Sequence, residues 1–303
     1  MKCSVIISTY TTQRLKEIIQ CLGSLQNQST PPEEVLIVLD PFRDLIEFYL
    51  DRLREFQVKI VISEDFGLSN ARNTGIRTSK GDIIVFIDDD IYVKEDWLEK
   101  ILENFKDNRV WIVGGKIIPE FETSRPRWFP EELDWIVGCT YKGMPDYKTE
   151  IRNPIGANMA FRREVFEKVG FFETLVGRFG KKLLGSEETE LCLRVKNKYP
   201  EVKIIYAPAA IVYHKVPKER TRIGYVLKRA YYEGVSKAIL SNKFKLKDEK
   251  NYLKFLFKSL GRYLVHFELS KCFTIILVIL ATATGFLVQK ITTKLQRLFG
   301  RIG

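Results

Sequence analysis

Three consecutive aspartates, Asp88, Asp89 and Asp90, follow a run of β-branched and aromatic residues that is typical of a buried strand. Adjacent carboxylates at a strand end repel one another, and a divalent cation relieves that repulsion. Hard oxygen ligands favour Mg²⁺ or Mn²⁺. Because side chains alternate along a strand, Asp88 and Asp90 share one side, where one can bind the metal and the other a ribose or water network. The alternative is an acidic turn that caps the next helix.

A second acidic group, Glu187 and Glu188, begins a predicted helix in the segment GSEETELCLRV (185–195). The helix dipole alone favours glutamates in a first turn, so a structural role is one interpretation. The functional interpretation makes Glu188 a general base aimed at an acceptor hydroxyl. His214 follows the strand-like AAIVY, and its imidazole is either structural or a further metal ligand.

Further polar and aromatic side chains lie at predicted strand ends or near a helix N-terminus: Thr9, Tyr10, Asp40, Asn70, Arg72 and Asn73. The strand-end residues are placed to meet a nucleobase or ribose, and the donors of GLSNARNTGI (67–76) a diphosphate or sugar. Turn and surface-helix roles explain the same residues. Trp128, Phe129 and Trp135 either stack on an acceptor sugar or fill a core.

The elements that position these residues alternate between strands and helices. Short apolar runs predict strands at 4–9, 35–40, 58–63, 82–90 and 110–118, and helical periodicity lies between them. This α/β pattern predicts a mostly parallel sheet with helices on both faces and a ligand at the carboxyl ends of the strands. The chain has neither G-x-G-x-x-G after its first strand nor G-x-x-x-x-G-K-[ST], which argues against dinucleotide enzymes and P-loop NTPases.

Charge divides this 303-residue chain unevenly. Residues 1–214 carry a net charge of −3 and residues 215–303 a net charge of +14. A DNA-binding enzyme more often has basic charge around its cleft, so we expect no nucleic acid partner. Five widely spaced cysteines without a C-x-x-C pair argue against a disulfide framework or a zinc cage and for a reducing compartment. Met1 to Tyr10 leads directly into a strand, so no signal peptide is expected.

The basic C-terminal part contains eighteen residues without formal charge, 272–289. As a helix this stretch is about 27 Å long, close to the hydrocarbon thickness of a bilayer. We therefore predict a transmembrane helix at 271–290, basic amphipathic helices at a membrane interface over 215–270 and a basic tail at 291–303. The alternative is a set of helices packed on the domain. The larger basic charge before the segment favours a catalytic domain, 1–214, on the cytoplasmic side of the cell membrane.

Taken together, SVIISTY, Asp40, GLSNARNTGI, FIDDD, GANMAFRREVFEKVGFF (156–172) and GSEETELCLRV resemble the ordered blocks of family 2 glycosyltransferases of the GT-A fold. The resemblance implies a nucleotide-sugar donor bound at the first two strand ends, and a metal on its diphosphate held by Asp88 and Asp90. It places Asn158 on the acceptor side and His214 as a metal ligand; beside these we predict Asp89 on the donor side and Trp128 on the acceptor side. The resemblance also places the catalytic pair at Glu187 and Glu188, with the base at Glu188, where the family more often has Asp.

The basic tail and the segment 125–138 make the chain similar to archaeal transferases that extend dolichyl-phosphate-linked sugars, including glucuronosyltransferases. The resemblance favours UDP, with UDP-glucuronate among the donors. Since a phosphate acceptor needs no base and a hydroxyl does, Glu188 favours a hydroxyl on a lipid-linked sugar, with inversion at the anomeric carbon. The alternatives are transfer to polyprenyl phosphate itself and an inactive, membrane-tethered sugar-nucleotide-binding protein. A nucleotidyltransferase is disfavoured because TYTTQRL (9–15) has no glycine and one basic residue.

Overall fold

A computed structural model describes residues 1–174, 183–246 and 248–299. These residues form nine strands and nine α-helices. The strands are β1 (Cys3–Thr9), β2 (Glu34–Leu39), β3 (Lys59–Ile62), β4 (Ile83–Asp88), β5 (Ile91–Val93), β6 (Val110–Phe121), β7 (Thr149–Glu150), β8 (Asn158–Arg162) and β9 (Lys203–Val216). The helices are α1 (Leu15–Gln26), α2 (Arg43–Arg52), α3 (Leu68–Thr78), α4 (Trp97–Leu102), α5 (Arg163–Val169), α6 (Glu187–Lys198), α7 (Ile223–Leu240), α8 (Asp248–Val265) and α9 (Leu269–Phe299).

The strands form one sheet in the order β3-β2-β1-β4-β8-β6-β9-β5, and β7 pairs with β9. The first four strands of this order are parallel, as the alternating pattern predicts. Beyond β4 the sheet is mixed, because β8 runs antiparallel to both β4 and β6, while β6 and β9 are parallel. The predicted parallel half therefore ends at β4, the strand that carries Asp88.

Alternate side chains of the central strands enter two separate cores, as the period of a strand requires. Val5 and Ile7 point to the face that α1 and α4 cover, and Ile6 points to the face that α3, α5 and α6 cover. Both faces of β1 are thus buried, which explains its nearly continuous run of β-branched residues.

The C-terminal helices pack against the first of these cores. Val226 of α7, Leu256 of α8 and Ile275 of α9 are buried in it. Helices α7 and α9 cross so closely that a Cβ at Gly234 would overlap the Thr282 carbonyl, and one at Gly285 would overlap the Tyr231 carbonyl. Glycine at both positions lets the two backbones touch, as in small-residue helix contacts.

The other face of α9 is exposed and apolar. Its exposed side chains include Phe273, Ile276, Leu280, Leu287 and Ile291. Within the described residues, one helix segment, Leu269–Gln296, is long and apolar enough to cross a membrane by length and composition. The last four residues of the predicted basic tail lie outside the described residues.

Candidate active site

The ends of β1, β2 and β4 meet at the carboxyl edge of the sheet. Asp40 donates its backbone N–H to the Thr9 carbonyl at 3.2 Å, and its carboxylate accepts from the Gly67 N–H at 3.3 Å. Gly67 precedes α3 with a φ of 98°, a conformation that favours glycine. Tyr10, which follows β1, is 72% exposed, so its ring is free to stack on a ligand. Burial raises the pKa of Asp40, and the neighbouring charge of Asp65 acts in the same direction.

The predicted metal-binding residues come together in space. Asp88 ends β4, Asp90 lies in the turn that follows, and β5 then pairs antiparallel with β9, which sets Ile91 opposite His214. One ligand atom from each of Asp88, Asp90 and His214 lies within 4.8 Å of the others. The strand pairing therefore brings a residue 124 positions beyond Asp90 to the acidic turn.

The donor atoms around His214 fit a cation at this position. Asp90 Oδ1 lies 3.0 Å from His214 Nε2 and is buried without a hydrogen-bond partner, and Arg220 Nη1 lies 3.3 Å from the same nitrogen. Carboxylate oxygens and an imidazole nitrogen are ligands that a divalent metal accepts, and a cation would satisfy the unpartnered oxygen, so these residues fit a divalent metal.

Two arginines also surround Asp90, which is 2% exposed. Arg14 Nη2 lies 3.2 Å and Arg220 Nη2 3.4 Å from Asp90 Oδ2. Burial by itself would raise the pKa of Asp90, but His214 and Arg220 outweigh it and hold that pKa well below its ordinary value. Asp90 is therefore ionised at neutral pH, as a metal ligand must be.

Asp89 has a different environment from the residues on either side of it. Burial, followed by the charge of Asp90, raises the pKa of Asp89 to about 7, while a hydrogen bond from Thr9 opposes the rise. Its Oδ2 is buried without a hydrogen-bond partner. Asp89 therefore lies beside Thr9. A contact of either residue with the donor stays a prediction.

Arg72 connects the acidic turn with α6. Its Nη1 donates to Glu187 Oε1 at 2.6 Å, and its Nη2 lies 3.5 Å from Asp88 Oδ1 and 3.1 Å from the Gly156 carbonyl. Arg72 is 3% exposed, so its short contact with buried Glu187 is desolvated and strong, while its contact with the partly exposed Asp88 is longer. Its role at the donor diphosphate stays a prediction.

Glu187 and Glu188 begin α6, as predicted, directly after Ser186. Ser186 adopts a left-handed conformation with a φ of 78°, which is uncommon for a residue other than glycine and is frequent at functional sites. Burial, followed by the charge of Glu187, raises the pKa of Glu188 to about 8. A carboxyl group with such a pKa can accept a proton near neutral pH.

Two asparagines predicted as ligand contacts are buried and bind backbone. Asn73 is 5% exposed; its amide donates to the Phe172 carbonyl and its oxygen accepts from the Phe172 N–H. Asn158 is fully buried, donates to the carbonyls of Lys116 and Ala210, and accepts from Trp97 Nε1. These bonds give both side chains a structural role, and the donor contact at Asn73 and the acceptor contact at Asn158 stay predictions.

The remaining amide and aromatic predictions have mixed outcomes. Asn70 donates to the Phe66 carbonyl one turn earlier in the chain, which leaves its oxygen for other contacts. Trp128 is half-buried, packs edge-on against buried Phe129 and does not line the cavity described below, and its contact with the acceptor stays a prediction. Trp135 instead lines the same cavity as Asp88 and Glu188.

That cavity has a volume of about 1300 Å³ and runs from the acidic turn to the C-terminal helices. Besides Asp88, Arg72 and Glu188 it is lined by Arg229 and Lys237 of α7, which sequence reasoning missed. Arg220, beside Asp90, was missed as well. All three lie in the basic C-terminal part, residues 215–303, where the sequence contains so many cations that nothing marks an individual one.

Comparison with known proteins agrees with this architecture. Residues 4–170 match the model of the glycosyl transferase family 2 domain. A glucosyl-dolichyl phosphate glucuronosyltransferase from Haloferax volcanii is 32% identical over 259 residues, which cover 84% of this chain and 82% of that protein. The succinoglycan biosynthesis protein ExoM of Rhizobium meliloti is 25% identical over 75% of this chain and 71% of its own.

Among solved structures, the mannosyltransferase PcManGT from Pyrobaculum calidifontis, in complex with GDP-Man and Mn²⁺, superimposes with a TM-score of 0.62. The match covers 94% of this chain and 87% of that one at 18% identity, which establishes the shared GT-A fold. The domain match over more than half of the sequence and the 32% identical relative lead to one assignment. This chain is a glycosyltransferase and belongs to family 2.

Proposed function

We propose that this protein is a metal-dependent, inverting glycosyltransferase that moves a sugar from a UDP-sugar to a hydroxyl of a dolichyl- or polyprenyl-phosphate-linked sugar. The observation that carries the proposal is that Asp88 and Glu188 line one cavity and are connected through Arg72 and Glu187. The wall of this cavity at Asp88 suits a diphosphate, and the wall at Glu188 suits a nucleophile. The Haloferax relative, a glucosyl-dolichyl phosphate glucuronosyltransferase, supports the acceptor class.

In this mechanism Glu188 accepts the proton of the acceptor hydroxyl while that oxygen bonds to the anomeric carbon of the donor sugar. The bond from the anomeric carbon to the diphosphate oxygen breaks, and the electron pair leaves with the nucleoside diphosphate. A single displacement inverts the anomeric configuration. Arg72 holds Glu187 through a buried ion pair and thereby fixes the start of α6, where the base lies.

Asp88, Asp90 and His214 are the residues that would hold the metal. A bound divalent cation would neutralise the negative charge on the departing diphosphate. Two carboxylates and one imidazole suit Mn²⁺ at least as well as Mg²⁺, which prefers oxygen ligands alone. The Mn²⁺ in the complex of the Pyrobaculum mannosyltransferase supports the same preference.

For the donor base and ribose we propose the edge formed by Tyr10 and Asp40. The exposed ring of Tyr10 offers a stacking surface, and the Asp40 carboxylate can accept hydrogen bonds from the base or ribose. Thr9 and Asp89 lie behind this edge, and Asn70 keeps one free amide oxygen close to it.

We propose that α9 attaches the protein to the cell membrane, with the catalytic domain on the cytoplasmic side. The exposed apolar face of α9 and the basic charge of residues 215–303 support this position. Since the other face of α9 packs on α7 and on the core, the helix is held against the domain along part of its length.

Two assays on the purified full chain test the proposed function. The first measures Mn²⁺-dependent hydrolysis of UDP-glucose, UDP-glucuronate and GDP-mannose, and the second measures transfer to dolichyl phosphate and to glucosyl-dolichyl phosphate. We expect UDP-sugar turnover and transfer to the glucosylated lipid. Transfer to dolichyl phosphate alone would contradict the hydroxyl acceptor, and donor binding without turnover would contradict the enzymatic role.

A further inference from the structure

We propose that the cavity contains a second subsite, on α7, that binds the phosphate of the lipid-linked acceptor, and that the hydrocarbon chain follows α8 and α9 from there. The inference rests on the proposed function, because it assigns a place to that acceptor. It concerns residues outside the acidic turn and the start of α6.

The subsite is built on one face of α7. Arg229, Glu233 and Lys237 are four residues apart, so they point in the same direction, and all three line the cavity. Arg229 pairs with Glu233 at 3.0 Å, and Lys237 lies 3.8 Å from the same carboxylate. Arg229 also lies 5.7 Å from the ring of Trp135. These contacts hold the guanidinium in place before any ligand binds.

Arg229 has unused hydrogen-bonding capacity. Its side chain is 11% exposed, and its Nε is buried without a partner. A buried guanidinium donor without an acceptor is costly, and an anionic oxygen would satisfy it. A Cβ at Gly185 would lie 3.3 Å from Arg229 Nη2, so this cation is next to the residues that lead into Glu188.

The charge along the cavity changes sign between its two ends. The catalytic end has the carboxylates of Asp88, Glu187 and Glu188 against one arginine, Arg72. Away from the catalytic end the described lining residues contain more cations than carboxylates: Arg152, Arg229, Lys237 and Lys245 against Glu150, Glu233 and Glu249. A metal ion and a proton acceptor suit the acidic end, and an anion suits the basic end.

Beyond the basic residues the cavity wall is hydrocarbon. Leu253 and Leu256 of α8 face Ile279, Phe286 and Leu287 of α9 across this part. The total volume of about 1300 Å³ exceeds the roughly 300–1,000 Å³ that is usual for a small-molecule pocket. A sugar alone would leave this apolar end empty.

A polyprenyl phosphate sugar has the same three parts in the same order. Its sugar hydroxyl would meet Glu188, its phosphate would meet Arg229 and Lys237, and its chain would continue along the apolar wall towards the exposed face of α9. The apolar end of the cavity and the proposed membrane-facing surface share Leu287, so the chain need not cross water.

The test measures binding of citronellyl phosphate, a short isoprenyl phosphate, to the full chain in detergent, by calorimetry and by quenching of tryptophan fluorescence. Citronellol and inorganic phosphate are the two comparison ligands. The variants are Arg229→Gln and Lys237→Gln, with Lys228→Gln as the matched control, because Lys228 is exposed on the same helix and does not line the cavity. Leu287→Gln tests the apolar wall, with exposed Leu295→Gln as its control.

We expect citronellyl phosphate to bind more tightly than either comparison ligand. Arg229→Gln and Lys237→Gln should each weaken binding about tenfold or more, Arg229→Lys should retain part of it, and Lys228→Gln should not change it. Equal binding by wild type and both α7 variants, or no binding by wild type, would overturn the subsite.

Hydrolysis of UDP-sugars separates this inference from the proposed function. If the subsite is correct, the α7 variants lose affinity for the phosphate-bearing acceptor by a much larger factor than they lose donor hydrolysis. If citronellyl phosphate binds as expected but no sugar nucleotide is turned over, the proposed function fails and the subsite stands. The α7 variants could instead lose both donor hydrolysis and binding of citronellyl phosphate and melt at a lower temperature. That result would show that Arg229 and Lys237 serve the fold, and it would overturn the subsite.

Discussion

Glu187 and Glu188 are neighbours at the start of α6, yet their environments are opposite. Glu187 is 4% exposed and paired with Arg72 at 2.6 Å. Glu188 faces the cavity, and burial together with the charge of Glu187 raises its pKa to about 8. We propose that Glu187, held by Arg72, anchors the start of the helix and that Glu188 exchanges a proton with the acceptor.

We expect Glu188→Gln to lower kcat of transfer by about 10²–10⁴-fold, because general base catalysis contributes rate enhancements of this size. The affinity for UDP should not change, since the proposed donor contacts lie at the Asp88 end of Arg72 and not at Glu188. Kinetics of transfer and calorimetry of UDP binding measure the two effects. Glu188→Asp should retain part of the activity, and an unaffected rate in Glu188→Gln would rule out the base.

The raised pKa of Glu188 predicts a pH dependence. Only the carboxylate form can accept a proton, and with a pKa of about 8 that form is the minor one at pH 7. At saturating Mn²⁺, kcat/KM should therefore rise with pH, about tenfold per unit below the pKa, and level off above it. A flat profile between pH 6.5 and 9, or the same inflection in Glu188→Gln, would contradict the assignment.

Arg72 is predicted to stabilise the fold as well as the site. Replacing it by alanine leaves the buried carboxylate of Glu187 unpaired, which costs about 3–5 kcal/mol of unfolding free energy. Arg77→Ala is the control, because its ion pair with Glu64 is exposed and should contribute about 1 kcal/mol or less. Thermal melts of both variants measure the difference, and equal melting temperatures would contradict a buried ion pair.

The crossing of α7 and α9 requires glycine. Gly234→Ala places a Cβ on the Thr282 carbonyl, so the helices must separate, and we expect a loss of about 1–3 kcal/mol. Gly224→Ala on the same helix has no atom within 4 Å of its added Cβ and should be neutral or slightly stabilising. Melting temperatures in detergent compare the two, and a neutral Gly234→Ala would show that α9 does not pack on α7.

Much of the site could be predicted because its residues lie at strand ends. Asp88, at the end of β4, comes to the carboxyl edge through strand alternation and parallel pairing, which a single sequence reveals. His214 could be suspected but not placed, since its position depends on the antiparallel pairing of β5 with β9. Arg220 reaches Asp90 only because β9 ends two residues after His214 and the chain turns back.

The residues whose roles the sequence alone leaves open share a physical feature. An asparagine in a motif has the same donors and acceptor whether it binds a ligand or a backbone segment, and Asn73 and Asn158 bind backbone. Trp128 and Trp135 lie in one segment, and only the packing of α8 shows that Trp135 lines the cavity, with its indole N–H donating to Tyr252 at 2.7 Å. Contacts between residues so far apart in the chain leave no local pattern in the sequence.

The central claim is that the carboxylates at the end of β4 hold the donor diphosphate through a divalent cation. Calorimetric titration of UDP, with GDP in parallel, into wild type and Asp88→Asn/Asp90→Asn in Mn²⁺ and in EDTA tests it most directly. Asp51→Asn, a substitution on the exposed end of α2, is the control. We predict that wild type and the control bind UDP only in Mn²⁺ and that the double variant loses this binding. Equally tight UDP binding by wild type in EDTA, or undiminished binding by the double variant in Mn²⁺, would contradict the account.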